Sequence, residues 1–228
     1  MNAAPAHFTV ALLAFDGMEA LDFAGPFEVF TTASRVHART GNTEAPSDIA
    51  DNPISESAKA LFDVKSYANT CRAVQARAGL RVLPDADFTS PPVADLLLVP
   101  GGVVDRARHC ATTLAWVRRL HGNSRWTASV CTGAFILAAA GVLTDQPATT
   151  HWEDLADLQQ QFPALDVRSG VRWVATGGER LVTSAGISAG IDMSLHLVAT
   201  MAGTLGYDGM ALAERTARQM DHAWTRHP

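Results

Sequence analysis

The chain has 228 residues, of which 47% are hydrophobic and 18% are charged, so it carries enough apolar side chain for a closed core, and intrinsic disorder is excluded for the chain as a whole. Its 18 Lys and Arg residues against 23 Asp and Glu residues give a net charge of −5. Because no basic excess is present to neutralise phosphates, we do not expect nucleic acid as a partner. No linker rich in Pro, Gly or Ser divides the sequence, and we predict a single domain over residues 1–228.

The N-terminal apolar run and the cysteines indicate the cellular compartment. Phe8–Phe15 is too short to cross a bilayer and has no basic residues before it, so it predicts a first β-strand in a cytoplasmic protein with no membrane contact. Cys71, Cys110 and Cys131 are odd in number and lack Cys-x-x-Cys spacing. We therefore expect neither a disulfide framework nor a metal site, and no cofactor.

Strands and helices alternate along the chain. The patterns predict strands at residues 8–15, 62–68, 74–82, 95–99, 126–130, 167–175 and 180–184, and helices at residues 24–36, 111–120, 132–143, 152–162 and 189–202, with a final helix through about Met220. The run DLLLV at Asp95–Val99 is apolar throughout, which is typical of a strand buried on both faces of a parallel sheet. The fold class predicted is α/β: a flavodoxin-like, doubly wound sandwich with a mostly parallel sheet. Residues 40–60, rich in Asn, Asp, Ser, Pro and Glu, are predicted to be an exposed insertion.

Cys131 is the strongest candidate for chemistry. It joins a buried strand to a helix within ASVCTGA, and such a sharp turn exposes its side chain and directs helix N–H groups towards it. We expect this position to depress the pKa of the Cys131 thiol. Cys131 is therefore predicted to be the reactive cysteine and to act as a nucleophile. The alternative is a small buried hydrophobic residue, which is also the interpretation favoured for Cys71 and Cys110.

Asp22 and a glycine pair supply further candidates. Asp22 stands between two apolar residues just before a predicted helix, where it either caps the helix or holds a proton beside the thiol. Gly101 and Gly102 follow the buried 95–99 strand, where they either form an ordinary turn or bring backbone N–H groups close to a developing anion. In a parallel α/β sheet both positions lie at the carboxyl ends of strands, where ligands bind.

Two later segments complete the candidate set. His151 lies 20 residues after Cys131 in ATTHW, and a return strand beside the turn brings it near the thiol, although a lone His is more often structural. Ile187 lies in SAGISAGID, where small residues permit close backbone packing. Asp192 ends this motif, and its negative charge is predicted to interact favourably with the helix dipole.

Taken together, LDFAGP, LLLVPGG, SVCTGAFILAAAGVL, ATTHW and SAGISAGID resemble the DJ-1/PfpI superfamily, which has the class I glutamine amidotransferase-like fold. Within it the chain is similar to the isocyanide (isonitrile) hydratases and equally to the ligand-binding domains of AraC-type regulators. The resemblance implies Cys131 as nucleophile, Asp22 as its neighbouring carboxylate and Thr132 as a further contact in the pocket. It also implies a homodimer acting on a small-molecule substrate, with hydration of an isocyanide to a formamide as the expected lyase reaction.

Two departures from the family patterns narrow this expectation. The protease-like and glyoxalase-like branches have a His directly after the cysteine of the strand-to-helix turn. This chain has Thr132 at that position, which disfavours peptidase activity. The turn at 184–188 is closer to the regulator branch, but the 26 residues after Ala202 are too few for the helix-turn-helix pair of such a regulator. A non-enzymatic ligand-binding or redox-sensing protein is the alternative function.

Overall fold

The computed structural model describes residues 7–41, 60–89 and 92–228. In chain order its elements are β1 (Phe8–Leu13), α1 (Ala20–Gly41), β2 (Phe62–Ala68), β3 (Val74–Gln75), β4 (Arg81–Val82), β5 (Ala86–Asp87), β6 (Leu96–Val99), α2 (Asp105–Arg108), α3 (Ala111–Asn123), β7 (Trp126–Val130), α4 (Gly133–Ala139), β8 (Pro147–Ala148), a 3-10 helix (Trp152–Asp154), α5 (Leu155–Gln161), β9 (Asp166–Val167), β10 (Trp173–Thr176), β11 (Leu181–Ser184), α6 (Ser188–Thr204) and α7 (Gly209–Gln219).

A seven-stranded sheet in the order β10-β11-β7-β6-β1-β2-β5 forms the centre of the fold. All neighbours pair in parallel except β10 and β11, which are antiparallel. Every residue of β6 and β7 is buried, because helices cover both faces of the sheet. Helices α1, α6 and α7 contact one another in one layer, and α2, α3 and α4 contact one another in the other. The predicted α/β fold with a mostly parallel sheet is confirmed.

The carboxyl ends of the central strands define where the site lies. β6 pairs with both β1 and β7, so the turns that follow these three strands come together at one edge of the sheet. The residues that follow β6 and β7 include the glycine pair and Cys131, and Asp22 follows β1 at the start of α1. This edge is where ligands bind in open α/β sheets.

Several predicted boundaries were wrong. The helix predicted at 24–36 begins at Ala20, which puts Asp22 in its first turn and Pro26 inside the helix. The strand predicted at 74–82 is a two-stranded antiparallel hairpin, and that at 167–175 is divided between β9 and β10. Thr40 and Gly41, predicted as part of the insertion, end α1; most of the predicted insertion, residues 42–59, lies outside the described residues.

Within the described ranges no helix is both long and apolar enough to span a membrane.

Candidate active site

The backbone at Cys131 forms a strained turn between β7 and α4. Its φ of +56° lies in the left-handed region, which non-glycine residues rarely adopt. Neighbouring segments hold the turn: the Cys131 N–H donates to the Ser184 carbonyl at 3.1 Å, and the Thr150 hydroxyl donates to the Cys131 carbonyl at 2.9 Å. This geometry confirms the strand-to-helix turn predicted from the sequence and directs the thiol to the carboxyl edge of the sheet.

Asp22 is a fully buried carboxyl group in the first turn of α1. Its Oδ1 accepts the Ile187 backbone N–H at 3.1 Å, whereas no well-formed hydrogen bond from the described residues ends on Oδ2. Burial raises the pKa of Asp22 to about 6, although the Ile187 N–H and the nearby Cys131 thiol both favour its charged form. The interpretation of Asp22 as a helix cap is therefore wrong, and the carboxyl group faces the thiol.

The expectation that the turn depresses the pKa of Cys131 is wrong in direction. Cys131 is only 8% exposed, and burial, followed by the negative charge of Asp22, raises the pKa of its thiol to about 12. The Thr132 N–H and hydroxyl lower it, but by less. Desolvation and the carboxylate thus outweigh the N-terminus of α4, which has only seven residues.

Cys131 and Asp22 form a coupled acid pair, and this has a measurable consequence. Because each charge opposes the other, the pair loses its first proton near pH 6 and its second near pH 12. In the singly ionised pair a small fraction of the molecules carries the charge on sulfur and the proton on Asp22, and this fraction is the form that is alkylated. In a Cys71→Ser/Cys110→Ser background, we therefore expect the rate of Cys131 alkylation by iodoacetamide to rise through about pH 6, to level off, and to rise again only at strongly alkaline pH. In Asp22→Asn the inflection should move to alkaline pH, as measured by mass spectrometry of timed samples. An unshifted inflection in that variant would contradict the pairing.

Gly101 is the residue around which the site closes. A Cβ at this position would lie 2.7 Å from the Cβ of Cys131, 2.7 Å from the Thr132 backbone nitrogen and 2.8 Å from Asp22 Oδ2. Groups of Cys131, Thr132 and Asp22 therefore surround position 101 so closely that only glycine fits there without a shift. The predicted approach of backbone to reacting groups is found here, at Gly101.

We expect Gly101→Ala to separate Cys131 from Asp22, because none of the three contacts can accept a methyl group without a shift. The variant should lose about 1–3 kcal/mol of stability through overpacking and should lose the alkylation inflection near pH 6. Urea unfolding and the alkylation profile measure the two effects. Gly122→Ala, in α3 with nothing within 4 Å of its added Cβ, is the matched control and should leave the alkylation profile unchanged. A wild-type profile in Gly101→Ala would contradict the proposed convergence.

The side chain of Thr132 connects the two loops of the site. Its hydroxyl donates to the Gly102 carbonyl and accepts the Gly102 N–H, each at 2.8 Å. A hydroxyl can do both at once, which explains why this residue type suits the position. The Gly102 amide, predicted as a donor to a developing anion, is thus already occupied. The Thr132 N–H acts on the Cys131 thiol, and the Gly101 N–H acts on the Asp22 carboxyl group.

His151 and Ile187 lie at the edge of the site. The His151 ring contacts Gly186, where an added Cβ would lie 2.4 Å from the ring, and its Nδ1 accepts the Glu153 N–H. His151 thus supports the loop that carries Ile187. Ile187 itself is 42% exposed, and its φ of +55° is unusual for a β-branched residue. Its contribution to the site is its backbone N–H on Asp22, a role that the side-chain pattern of the sequence did not indicate.

The prediction that Cys71 and Cys110 are small buried hydrophobic residues was wrong, because Cys71 is exposed and Cys110 is half-buried. Cys110 occupies the N-cap of α3, and hydrogen bonds from Thr113 and Thr112 lower the pKa of its thiol. Cys71 is exposed, and desolvation and the nearby Asp87 carboxylate raise the pKa of its thiol. All three cysteines are free thiols. In the described part of the chain no cluster of three or more His, Cys, Asp or Glu side chains is arranged to hold a metal ion.

Comparison with known proteins gives a consistent family. The model of the DJ-1/PfpI family matches residues 8–200. Among curated relatives, isonitrile hydratase from Pseudomonas putida is 38% identical over 131 residues, which cover 57% of this chain and 55% of that protein. The HTH-type transcriptional regulator GbdR from Pseudomonas aeruginosa is 32% identical over 154 residues, which cover 66% of this chain and 41% of the regulator. The chain thus spans about half the length of these curated relatives.

A solved structure agrees with the fold assignment. The ThiJ/PfpI family protein from Pseudomonas syringae superposes with a TM-score of 0.74 at 26% identity, covering 99% of this chain and 80% of that one.

Proposed function

Since the chain belongs to the DJ-1/PfpI family, we propose that it is a cysteine-dependent hydratase (a lyase) that converts a small isocyanide to the N-substituted formamide. The observation that carries this proposal is the buried thiol of Cys131 beside a carboxyl group, Asp22, whose pKa is raised to about 6. Such a pair can supply both a soft nucleophile and a proton at neutral pH. The similarity to an isonitrile hydratase supports the choice of substrate class.

The first half of the reaction makes a covalent intermediate. The terminal carbon of an isocyanide accepts a nucleophile and then a proton. The sulfur of Cys131 bonds to this carbon while its proton passes to Asp22, and Asp22 delivers that proton to the same carbon. The product is a thioimidate, R–N=CH–S, attached at Cys131, with every atom of the isocyanide retained. The raised pKa of Asp22 suits this transfer, because the carboxyl group must both accept and release the proton near neutral pH.

The second half releases the product. Water adds to the thioimidate carbon, its oxygen bonding to carbon and one proton going to nitrogen. The carbon–sulfur bond then breaks, and the hydroxyl proton returns to the sulfur through Asp22, leaving R–NH–CHO and the free thiol. The Thr132 N–H, which acts on the Cys131 thiol, stabilises negative charge that develops during these steps. No metal or cofactor is required in this scheme, and Cys131 must stay reduced, which is consistent with a cytoplasmic compartment.

Turnover of isocyanides tests the proposal. Purified protein is mixed with an aryl and an alkyl isocyanide, and the formamide is quantified by chromatography. We expect formamide to form at a rate proportional to the concentration of wild-type protein, and we expect none above background with Cys131→Ser. Absence of turnover across several isocyanides would reject the hydratase. Binding without turnover would favour the second candidate.

The second candidate is a non-enzymatic ligand-binding or redox-sensing protein. It is favoured by the regulator relatives, of which GbdR is one. In that case a small molecule binds at the Cys131 edge without consumption, or peroxide oxidises the thiol reversibly. The burial of Cys131 and the raised pKa of its thiol disfavour rapid oxidation by peroxide.

A homodimer is part of the proposal. Three exposed apolar side chains adjoin site residues in sequence, and Ile187 is itself exposed: Leu21, Val103, Trp152 and Ile187 are 41%, 51%, 72% and 42% exposed. Large exposed apolar residues at one end of a sheet are typical of an interface with another protein. We therefore expect sedimentation to give roughly twice the chain mass of 24.2 kDa, and Trp152→Glu to shift it towards the monomer. A wild-type monomer at all concentrations would contradict this.

A further inference from the structure

Asp192 is a buried carboxylate that the reaction scheme does not use. It lies in α6, is 1% exposed, and both of its oxygens have partners. Oδ2 accepts from Arg172 Nε at 2.5 Å, and Oδ1 accepts from His222 Nε2 at 2.8 Å and from the Thr225 N–H at 3.1 Å. The Asp192 carbonyl also accepts the Trp224 indole N–H at 3.1 Å. The residue thus joins the segment before β10 to the C-terminal segment 222–225.

Arg172 extends this cluster to the loop that contacts Asp22. The Arg172 carbonyl accepts the Ala185 N–H at 2.8 Å, and its Nη2 lies 3.4 Å from the Ser188 hydroxyl. The loop 185–188 is therefore held at both ends by one residue. Between those ends lies Ile187, whose N–H is the donor to Asp22 Oδ1 and whose backbone is strained. A strained backbone persists only where its surroundings hold it in place.

We propose that Asp192, with Arg172 and the C-terminal segment 222–225, is a positioning unit that holds the Ile187 N–H on Asp22 and so sets the protonation of the Cys131–Asp22 pair. The unit touches neither thiol nor substrate; it acts through the loop 185–188. It rests on the proposed role of that pair but not on the identity of the substrate. A carboxylate that loses a hydrogen-bond donor holds its proton more tightly, so release of the loop makes the pair harder to ionise.

The pH dependence of Cys131 alkylation, in the Cys71→Ser/Cys110→Ser background, tests the proposal without any isocyanide. Among the described residues, the groups that act on Asp22 electrostatically are Cys131 and Glu19, and all variants leave both in place. Asp192→Asn removes the negative charge that holds Arg172 and leaves one acceptor oxygen in place of two, so the inflection should move about one pH unit above pH 6. Ser188→Ala removes only the exposed loop contact, so it should fold normally and shift the inflection in the same direction by less.

Two further variants separate positioning from structure and from other titrations. His222→Gln keeps a donor for Asp192 and should retain the wild-type inflection; loss of the inflection in this variant would contradict the proposal. Arg168→Gln breaks the exposed Arg168–Asp166 ion pair before β10 and should leave the profile unchanged.

An unshifted inflection in both Asp192→Asn and Ser188→Ala would overturn the positioning unit, even if Asp192→Asn lowers the melting temperature. Should Asp192→Asn fail to fold, Ser188→Ala alone decides. A wild-type profile with no inflection near pH 6 overturns the proposal together with the Cys131–Asp22 pair. Failure of isocyanide turnover alone would not contradict the positioning unit.

Discussion

Cys131→Ala should reduce formamide production to the uncatalysed background, because the variant lacks the sulfur that forms the thioimidate beside Asp22. Asp22→Asn should retain the nucleophile but lose the group that carries the proton from sulfur to carbon. General acid–base catalysis contributes about 10² to 10⁴ in rate, and we expect kcat to fall by that factor in Asp22→Asn. Steady-state assays of both variants measure the effects.

A matched control accompanies this experiment. Cys110→Ala removes a cysteine at the N-cap of α3 whose thiol has a lowered pKa, and it should retain wild-type kcat. Turnover that survives Cys131→Ala would reject the mechanism. If Asp22→Asn retained full activity, the proton would have to travel by another route.

Asp22→Asn should make the protein more stable at neutral pH, even as it inactivates it. The pKa of Asp22 rises from 3.8 to about 6 on folding, so its ionisation above that pH opposes the folded state. The stability associated with protonated Asp22 is fully present below about pH 4 and is lost as pH rises through 6. A shift of this size corresponds to about 3 kcal/mol, and replacement by a neutral amide should recover much of it.

Urea unfolding at two pH values measures this gain. At pH 7.5 we expect the free energy of unfolding of Asp22→Asn to exceed that of wild type by about 1–3 kcal/mol, and at pH 4.5 we expect the difference to fall below about 1 kcal/mol. Asp145→Asn, at an exposed loop position, is the control and should change stability by less than about 0.5 kcal/mol at either pH. If Asp22→Asn were less stable than wild type at pH 7.5, Asp22 would not carry an unfavourable buried charge.

The elements that sequence reasoning predicted well are those whose residues are buried on both faces. The strands at 95–99 and Trp126–Val130 were found almost at their predicted bounds. The first is a continuous apolar run, which is typical of a strand buried on both faces of a parallel sheet. The turn at Cys131 followed from the change of pattern between β7 and α4. The prediction of a long strand at 74–82 was wrong because a tight hairpin divides it, and short polar turns carry little periodicity.

The chemistry of the site was only partly predictable. Cys131 and Asp22 could be identified as candidates, but the direction of the shift in the pKa of the thiol could not, since it depends on burial and on a charge 109 positions away in the chain. The Thr150 hydroxyl, which fixes the Cys131 carbonyl, was present in ATTHW but was not singled out. Arg172 lies in no motif, and only the folded chain brings it to both ends of the loop 185–188.

Acid-quenched mass spectrometry can show whether Cys131 forms a covalent thioimidate with an isocyanide. Wild-type protein is mixed with excess isocyanide, quenched within milliseconds to seconds, digested and analysed. We expect a transient mass gain on the Cys131 peptide that equals the full mass of the isocyanide. This adduct should form before formamide accumulates and should decay as the substrate is consumed. Formamide production with no adduct on Cys131 at any time, or an adduct on another residue, would contradict thioimidate formation at Cys131.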